Sequence, residues 1–442
     1  MDINDSLDLQ REQQKTITRM LCQHTPINPH HHLLALDVTP ISRPHSSKLT
    51  DKSYVHCNEP VKCKAPITVG HEYSCVSYLP ASADGWCLPL KMERVSTAKN
   101  SVLFGLRQAE QVQSELQKLE STLPCVLVAD AAYSSKAAIH ANHATSVILI
   151  ARLRGNRKLL RPASSDKPHK TRKHWYDKEN PFYLKDETSW GEPAETVRVD
   201  WATRGGKLYQ VDIQVWHDLR VASDKNYDLH KISLSVVRVT VRKSDQTMLY
   251  KHPLWLIIEG DWQGSLTLKM IWNDYRLRFD LEHFFRFAKC HLLLNSLQTP
   301  DTMTEENWMQ IAMLSHHQLF HARAAAEFQP NPWEKSKQSK QKITPRVVQR
   351  DMQRLLPMTK NITNETKPRG VGLGRKLGER LCKRVTSPIV IKSKKHTSVN
   401  KLTFEQPLNQ SNIDLSIEKV EPTNLADIGQ PNNLHNAADP PA

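Results

Sequence analysis

The sequence predicts a mixed α/β fold: a mixed sheet flanked by helices, interrupted by a β-rich insertion and followed by a basic, flexible C-terminal region. Three observations carry this expectation. Strand-sized apolar runs come first in hairpin order and then alternate with helical stretches, the pattern of a mixed sheet. Residues 154–260 break that alternation with four runs rich in Val, Ile, Tyr and Trp that read as antiparallel strands. The net charge of +15 on 442 residues is concentrated in one place, because residues 331–395 hold 18 Lys or Arg against four acids.

Taken in order, residues 1–32 are a short polar, helix-prone lead-in closed by Pro26, Pro29 and a run of three His. "HLLALDVTPI" reads as a buried strand with Asp37 at its C-terminal end and Pro40 to stop it. "APITVGHEYSCVSYL" and "WCLPLKMERV" read as further strands, the first broken at Gly70. "VLFGLRQAEQVQSELQKLESTL" has helical periodicity and good helix formers. "PCVLVADAAYSSKAAIHAN" is a strand, then Asp130, then a turn into a helix, and "ATSVILIARL" is a strand again. These elements form the first part of a core, residues 33–153.

The insertion, residues 154–260, opens on "RLRGNRKLLR", which brings Arg152, Arg154, Arg157, Lys158 and Arg161 together. That run is either a DNA-contacting loop or a solvated edge. Residues 261–330 return to the core with two helices, the second being "ENWMQIAMLSHHQLFHARAAAEF". Residues 331–395 are the basic segment. Such a segment binds nucleic acid by displacing counterions from phosphates, or else serves as a solubilising linker. From residue 396 onward six acids, two Lys and few aromatics read as a disordered tail.

Several classes are excluded at this level. No apolar run approaches the roughly 18 residues of a membrane span, and the acidic, polar N-terminus is no signal peptide. Eight cysteines in a chain this long suit a reducing cytoplasm better than a disulfide scaffold. His56, Cys57, Cys63, His71, Cys75 and Cys87 crowd one region but lack the paired spacing of common zinc sites. Small buried cysteines on strands explain them better.

"YRLRFDLEHFFRFAK", residues 275–289, carries the most information. At about 100° per residue, Tyr275, Arg278, Glu282 and Lys289 share a stripe only about 60° wide, beside an apolar arc of Leu277, Leu281, Phe284, Phe285 and Ala288. The stripe is either a solvated face with ion pairs at helical spacing or a site. Asp37 and Asp130, each at a strand end, add two more carboxylates that can converge at one sheet edge. Hard oxygen ligands with open positions suit Mg²⁺. Two such ions activate a water and stabilise the leaving oxygen of a phosphodiester, and the chain has no evident covalent nucleophile.

With these residues in hand, the sequence resembles the DDE transposases of bacterial insertion sequences, in the branch marked by a Y-x2-R-x3-E-x6-K signature. That signature is complete in Tyr275, Arg278, Glu282 and Lys289. "LALDVTPISRP" is similar to the family's first-Asp strand, with Thr39 two residues on, and "VLVADAAY" to its second, with Tyr133 three residues on. The resemblance spans about residues 33–395 and includes the β-rich insertion before the Glu. It implies an RNase H-like core in which Asp37, Asp130 and Glu282 hold two Mg²⁺ ions, with Mn²⁺ as a substitute. These would cleave double-stranded DNA at element ends, often through a hairpin, and join the 3′-OH to target DNA.

Tyr275, Arg278 and Lys289 would grip terminal phosphates, as their donor geometry allows. "KPRGVGLGRK" is similar to Pro-Arg-Gly and Gly-Arg pieces near the family's C-terminus and offers Arg369 and Arg375 to a minor groove, although Lys376 stands where the family has Pro. Trp255 or Trp272 would either stack on an unpaired base or pack in the core. The resemblance further implies a homodimer in a synaptic complex, acting in the cytoplasm on nucleoid DNA, with no membrane partner. Only 36 residues precede Asp37, where the family usually carries a longer helical region that helps recognise terminal repeats, so either an N-terminally truncated copy or a misassigned start is expected. The alternative function is a catalytically impaired product that binds DNA as a repressor.

Overall fold

The computed structural model describes residues 3–56, 67–81, 85–120, 122–163, 175–203, 206–328, 343–355 and 386–391. Helix α1 (Ile3–Gln23) leads into strand β1 (His32–Ser42), followed by β2 (Ser53–His56), β3 (Ile67–Tyr78) and β4 (Leu88–Val95). Helix α2 (Ser101–Gln117), β5 (Cys125–Ala129), α3 (Lys136–Asn142) and β6 (Val147–Leu153) come next. Strands β7 (Lys158–Pro162), β8 (Tyr176–Tyr183), β9 (Glu195–Ala202), β10 (Leu208–Leu219), β11 (Leu234–Arg242) and β12 (Leu254–Glu259) fill the β-rich stretch. Four helices close the described chain: α4 (Leu268–Leu277), α5 (Phe279–His291), α6 (Thr302–Ala322) and α7 (Pro345–Leu355).

Ten strands form one sheet in the order β2-β3-β1-β5-β6-β12-β11-β10-β9, with β4 also paired to β3. β1, β5 and β6 run parallel; the β1–β3, β3–β4 and β12–β6 pairs are antiparallel. The expected RNase H-like mixed sheet flanked by helices is therefore present. β5, "CVLVA", is buried at every position, as a parallel strand covered on both faces must be. Alternation sorts its side chains: Leu127 and Ala129 join one core with Leu34 and Leu36, while Val126 and Val128 join the other with Leu33 and Ala35. α2 lays Leu106, Ala109, Val112 and Leu116 on the first core, and α4 and α5 bring Ile271, Tyr275, Leu281 and Phe284 to the second.

Several sequence readings change on folding. Pro40 does not stop β1, which runs on to Ser42 as the antiparallel partner of β3. Parallel pairing with β5 ends at Leu36, so Pro40 lies where β1 has become an edge on that side, a place where a strand tolerates proline. Gly70 does not break β3 either. A Cβ there would lie 2.1 Å from the Ile41 carbonyl oxygen, so glycine is what lets the two backbones approach.

The stretch read as an insertion extends the core sheet through β12–β6, and only β7 and β8 make a separate two-stranded sheet. Within it Phe182, Trp190, Trp216 and Trp255 pack edge to face, with Trp190 and Trp255 centroids 5.1 Å apart. Trp255 is thus a core residue, and so is Trp272, buried beside Trp201. Cys75 and Cys87 are free and buried, while Cys57 and Cys63 lie outside the described residues.

The helix expected across residues 275–289 is two helices. The ladder breaks at Arg278, where Arg278 N–H donates to Tyr275 O and Leu281 N–H to Arg278 O, both three-residue bonds. α6 is fastened to the sheet edge by Gln310 and His317 donating to Met92 O and Pro89 O, both 2.9 Å. α7, inside the basic segment, packs Val348 into the core and accepts the Glu327 N–H on Asp351. Residues 386–391 run beside the β2 edge, with Val390 N–H donating to Lys52 O at 2.8 Å. The acidic tail lies outside the described residues. Among those that are described, no helix is long and apolar enough to cross a membrane.

Candidate active site

The register of the parallel strands builds the site. Leu36, Ala129 and Ala151 are aligned at the last rung of the β1–β5–β6 ladder. The next residue on each strand is therefore Asp37, Asp130 and Arg152, one row along the carboxyl rim. Because Leu36 and Ala129 belong to the α2 side, the following residues project to the opposite face, where α4 and α5 lie. Local chemistry then fixes each group. Asp37 Oδ1 accepts the Val38 N–H at 2.8 Å. Asp130 caps a short 3₁₀ turn by accepting the Ala132 N–H at 2.9 Å.

Arg278 is the centre of the arrangement. It is 8% exposed, donates from Nη2 to Glu282 Oε1 at 2.7 Å, and places Nη1 3.8 Å from Asp37 Oδ2. The i, i+4 ion pair survives the break in the helical ladder. Its Nε is buried with no hydrogen-bond partner. Burial works against the charge, yet Tyr275, Glu282 and Asp37 outweigh it and hold the guanidinium pKa above its ordinary value.

Asp37 behaves differently from an ordinary ion-pair partner. Its pKa is raised to about 6, first by burial and further by Asp130 and Glu282, against the opposing pull of Arg278 and Val38. The two partners are thus unequally served: 3.8 Å to Arg278 is a long approach, and two neighbouring carboxylates repel the same charge. Asp130 and Glu282 are both within electrostatic reach of Asp37. Glu282 is 46% exposed.

Tyr275 is buried, and burial first, then Asp130, raise its phenol pKa while Arg278 and Arg152 oppose; it is a neutral phenol at neutral pH. Lys289 stands two turns along α5 from Glu282, about 10 Å by helical rise, and is half-buried. Arg154 and Arg157 are exposed in the turn that leaves β6 at this rim, with Arg157 N–H donating to Arg154 O, and Lys158, also exposed, begins β7. Lys158 stacks on Tyr183 at 5.2 Å. Arg369 and Arg375 lie outside the described residues.

Two residues gain a supporting role from the fold. Tyr133 sits beneath Asp37 and Asp130, whose charges, after burial, push its pKa up. Gly105 of α2 lets that tyrosine fit, since a Cβ there would lie 2.8 Å from its hydroxyl. Arg152 was visible only as part of a basic run; strand register is what puts it beside Tyr275.

Carboxylate oxygens such as those of Asp37, Asp130 and Glu282 are the donors a hard divalent cation takes. In the conformation described, the Arg278 guanidinium lies between Asp37 and Glu282, and no three His, Cys, Asp or Glu side chains among the described residues are gathered closely enough to hold a metal ion.

Residues 5–210 match the family model described as DDE superfamily endonuclease. The match supports a DDE transposase-like family for that stretch, which contains Asp37 and Asp130 and ends before Glu282. No curated protein matches the chain.

Proposed function

We propose that this protein is a DDE transposase that cleaves double-stranded DNA at insertion-sequence ends and joins the freed 3′-OH to target DNA. Arg278 supports this reading, since it pairs with Glu282 and faces Asp37 while strand register sets Asp130 beside Asp37. Asp37, Asp130 and Glu282 would hold two Mg²⁺, or Mn²⁺ in their place. Bound there, the ions supply an activated water or 3′-OH and stabilise the leaving oxygen. The chain's own part is positioning. Arg278, with an unpaired buried Nε, and Arg152 would face the phosphate, and both act on the neutral Tyr275 phenol. Arg154, Arg157 and Lys158 track the duplex leaving the rim, while Lys289, Arg369 and Arg375 add phosphate and minor-groove contacts. A homodimer would bring two ends together, in the cytoplasm on nucleoid DNA.

Glu282→Gln separates the readings of the α5 stripe. As half of a partly exposed ion pair, Glu282 is worth about 0–1 kcal/mol, and its loss would leave activity intact. As a metal ligand, its loss leaves folding and DNA binding while end cleavage in Mg²⁺ or Mn²⁺ falls by several orders of magnitude. The measurement is cleavage of a labelled element end beside melting curves. Wild-type cleavage by a folded variant, or cleavage of the wild type in chelator, removes the reading. DNA binding by the wild type with no cleavage in any divalent metal selects the repressor instead.

A further inference from the structure

Asp37 and Glu282 repel each other, and the structure answers with a cation from the chain itself. Arg278 touches Glu282 at 2.7 Å and stands 3.8 Å from Asp37, so one guanidinium spans the gap between the first and third carboxylates. Where the guanidinium stands a divalent cation cannot, since Mg²⁺ there would need carboxylate oxygens at about 2.0–2.1 Å. The guanidinium is also incompletely satisfied, because its buried Nε has no partner. In this geometry Glu282 takes a single N–H and Asp37 stands at 3.8 Å, whereas a phosphate can present acceptors in the plane of the guanidinium fork to two or more of its N–H groups. Arg278 sits at the junction of α4 and α5, outside the regular ladder of either, where its side chain can re-aim without unwinding a helix turn.

We propose that Arg278 is a built-in counter-cation that keeps the Asp37–Glu282 gap closed to divalent metal until a DNA phosphate draws it away. This rests on the carboxylates being the metal site proposed above. The consequence is reciprocal: if DNA raises the affinity for metal, metal raises the affinity for DNA by the same factor. Free protein then holds metal weakly and is armed only on its substrate, which suits an enzyme whose stray cleavage damages its own template.

The test is Mn²⁺ binding to the full chain, followed by the paramagnetic resonance of free Mn²⁺, with and without a short blunt-ended duplex. Mn²⁺ bound by the duplex alone and by Glu282→Gln protein is subtracted as background. In the wild type, the duplex should tighten Mn²⁺ binding by a factor within the roughly 5–150-fold range of ordinary coupling between sites. Arg278→Gln should bind Mn²⁺ more tightly than the wild type without DNA, and should gain much less when DNA is added. Arg278→Lys, which keeps the charge without the two-pronged reach, should fall between them and serves if the Gln variant does not fold. Equal Mn²⁺ affinity in wild type and folded variants without DNA, with equal gains on adding it, overturns the counter-cation while leaving the metal site standing. No Mn²⁺ binding by the wild type with or without DNA overturns the metal site and this proposal together.

Discussion

Replacing Asp37 with Asn should make the protein more stable at neutral pH while abolishing its chemistry. The carboxyl titrates at about 6 in the folded chain against an ordinary 3.8, chiefly through burial and then the repulsion of Asp130 and Glu282. That difference of 2.2, at about 1.36 kcal/mol per pH unit, amounts to about 3 kcal/mol by which the ionised group disfavours the folded state. The side chain is only 23% exposed, so solvent screening removes little of it. A raised carboxyl pKa contributes stability that is present below pH 3.8 and is lost as pH rises through about 6. Above that point the wild type bears the full cost and Asp37→Asn does not.

Giving up the long attraction to Arg278 takes back part of the gain, leaving about 1–3 kcal/mol in favour of the variant. Urea unfolding in chelator, from about pH 5 to about pH 8, should show the gap open with rising pH and close with falling pH. An Asp37→Asn protein less stable than wild type at neutral pH, with a gap indifferent to acidification, would show that attraction to Arg278 exceeds the cost of burial. The electrostatic account of the site would then be wrong.

Two further changes test the fold and the basic segment. Gly70→Ala should cost at least the upper end of the roughly 1–3 kcal/mol of core overpacking. Its Cβ would meet a backbone carbonyl that no rotamer can move, Ile41 O at 2.1 Å, and melting temperature is the readout. Arg369→Ala with Arg375→Ala should leave stability unchanged but lower DNA affinity and flatten its logarithmic salt dependence by about one for each phosphate no longer neutralised. Gel shifts at several salt concentrations decide it, an unchanged slope meaning that neither arginine touches phosphate. Whole-segment deletion is a poorer test, because it removes α7 and its buried Val348 from the core.

Local pattern determined much of this protein. Apolar runs, helical periodicity and the Tyr275–Arg278–Glu282–Lys289 spacing identified the strands, the helices and three carboxylates worth following, because side-chain alternation and helical repeat are properties of a few neighbouring residues. Tertiary structure decided what depends on residues far apart in the chain. That β1 continues past Pro40, and that β3 passes unbroken through Gly70, follows from where β5 ends and how closely Ile41 approaches. That β9–β12 extend the core sheet was settled by an edge of β6 left open for β12. Arg152 joined the site through strand register alone, and Tyr133 through the close approach that Gly105 permits. The sequence determined that Arg278 stands one turn from Glu282, since that spacing is local. Only the fold, by bringing the rim of β1 under the α4–α5 junction, decided that the same guanidinium also faces Asp37.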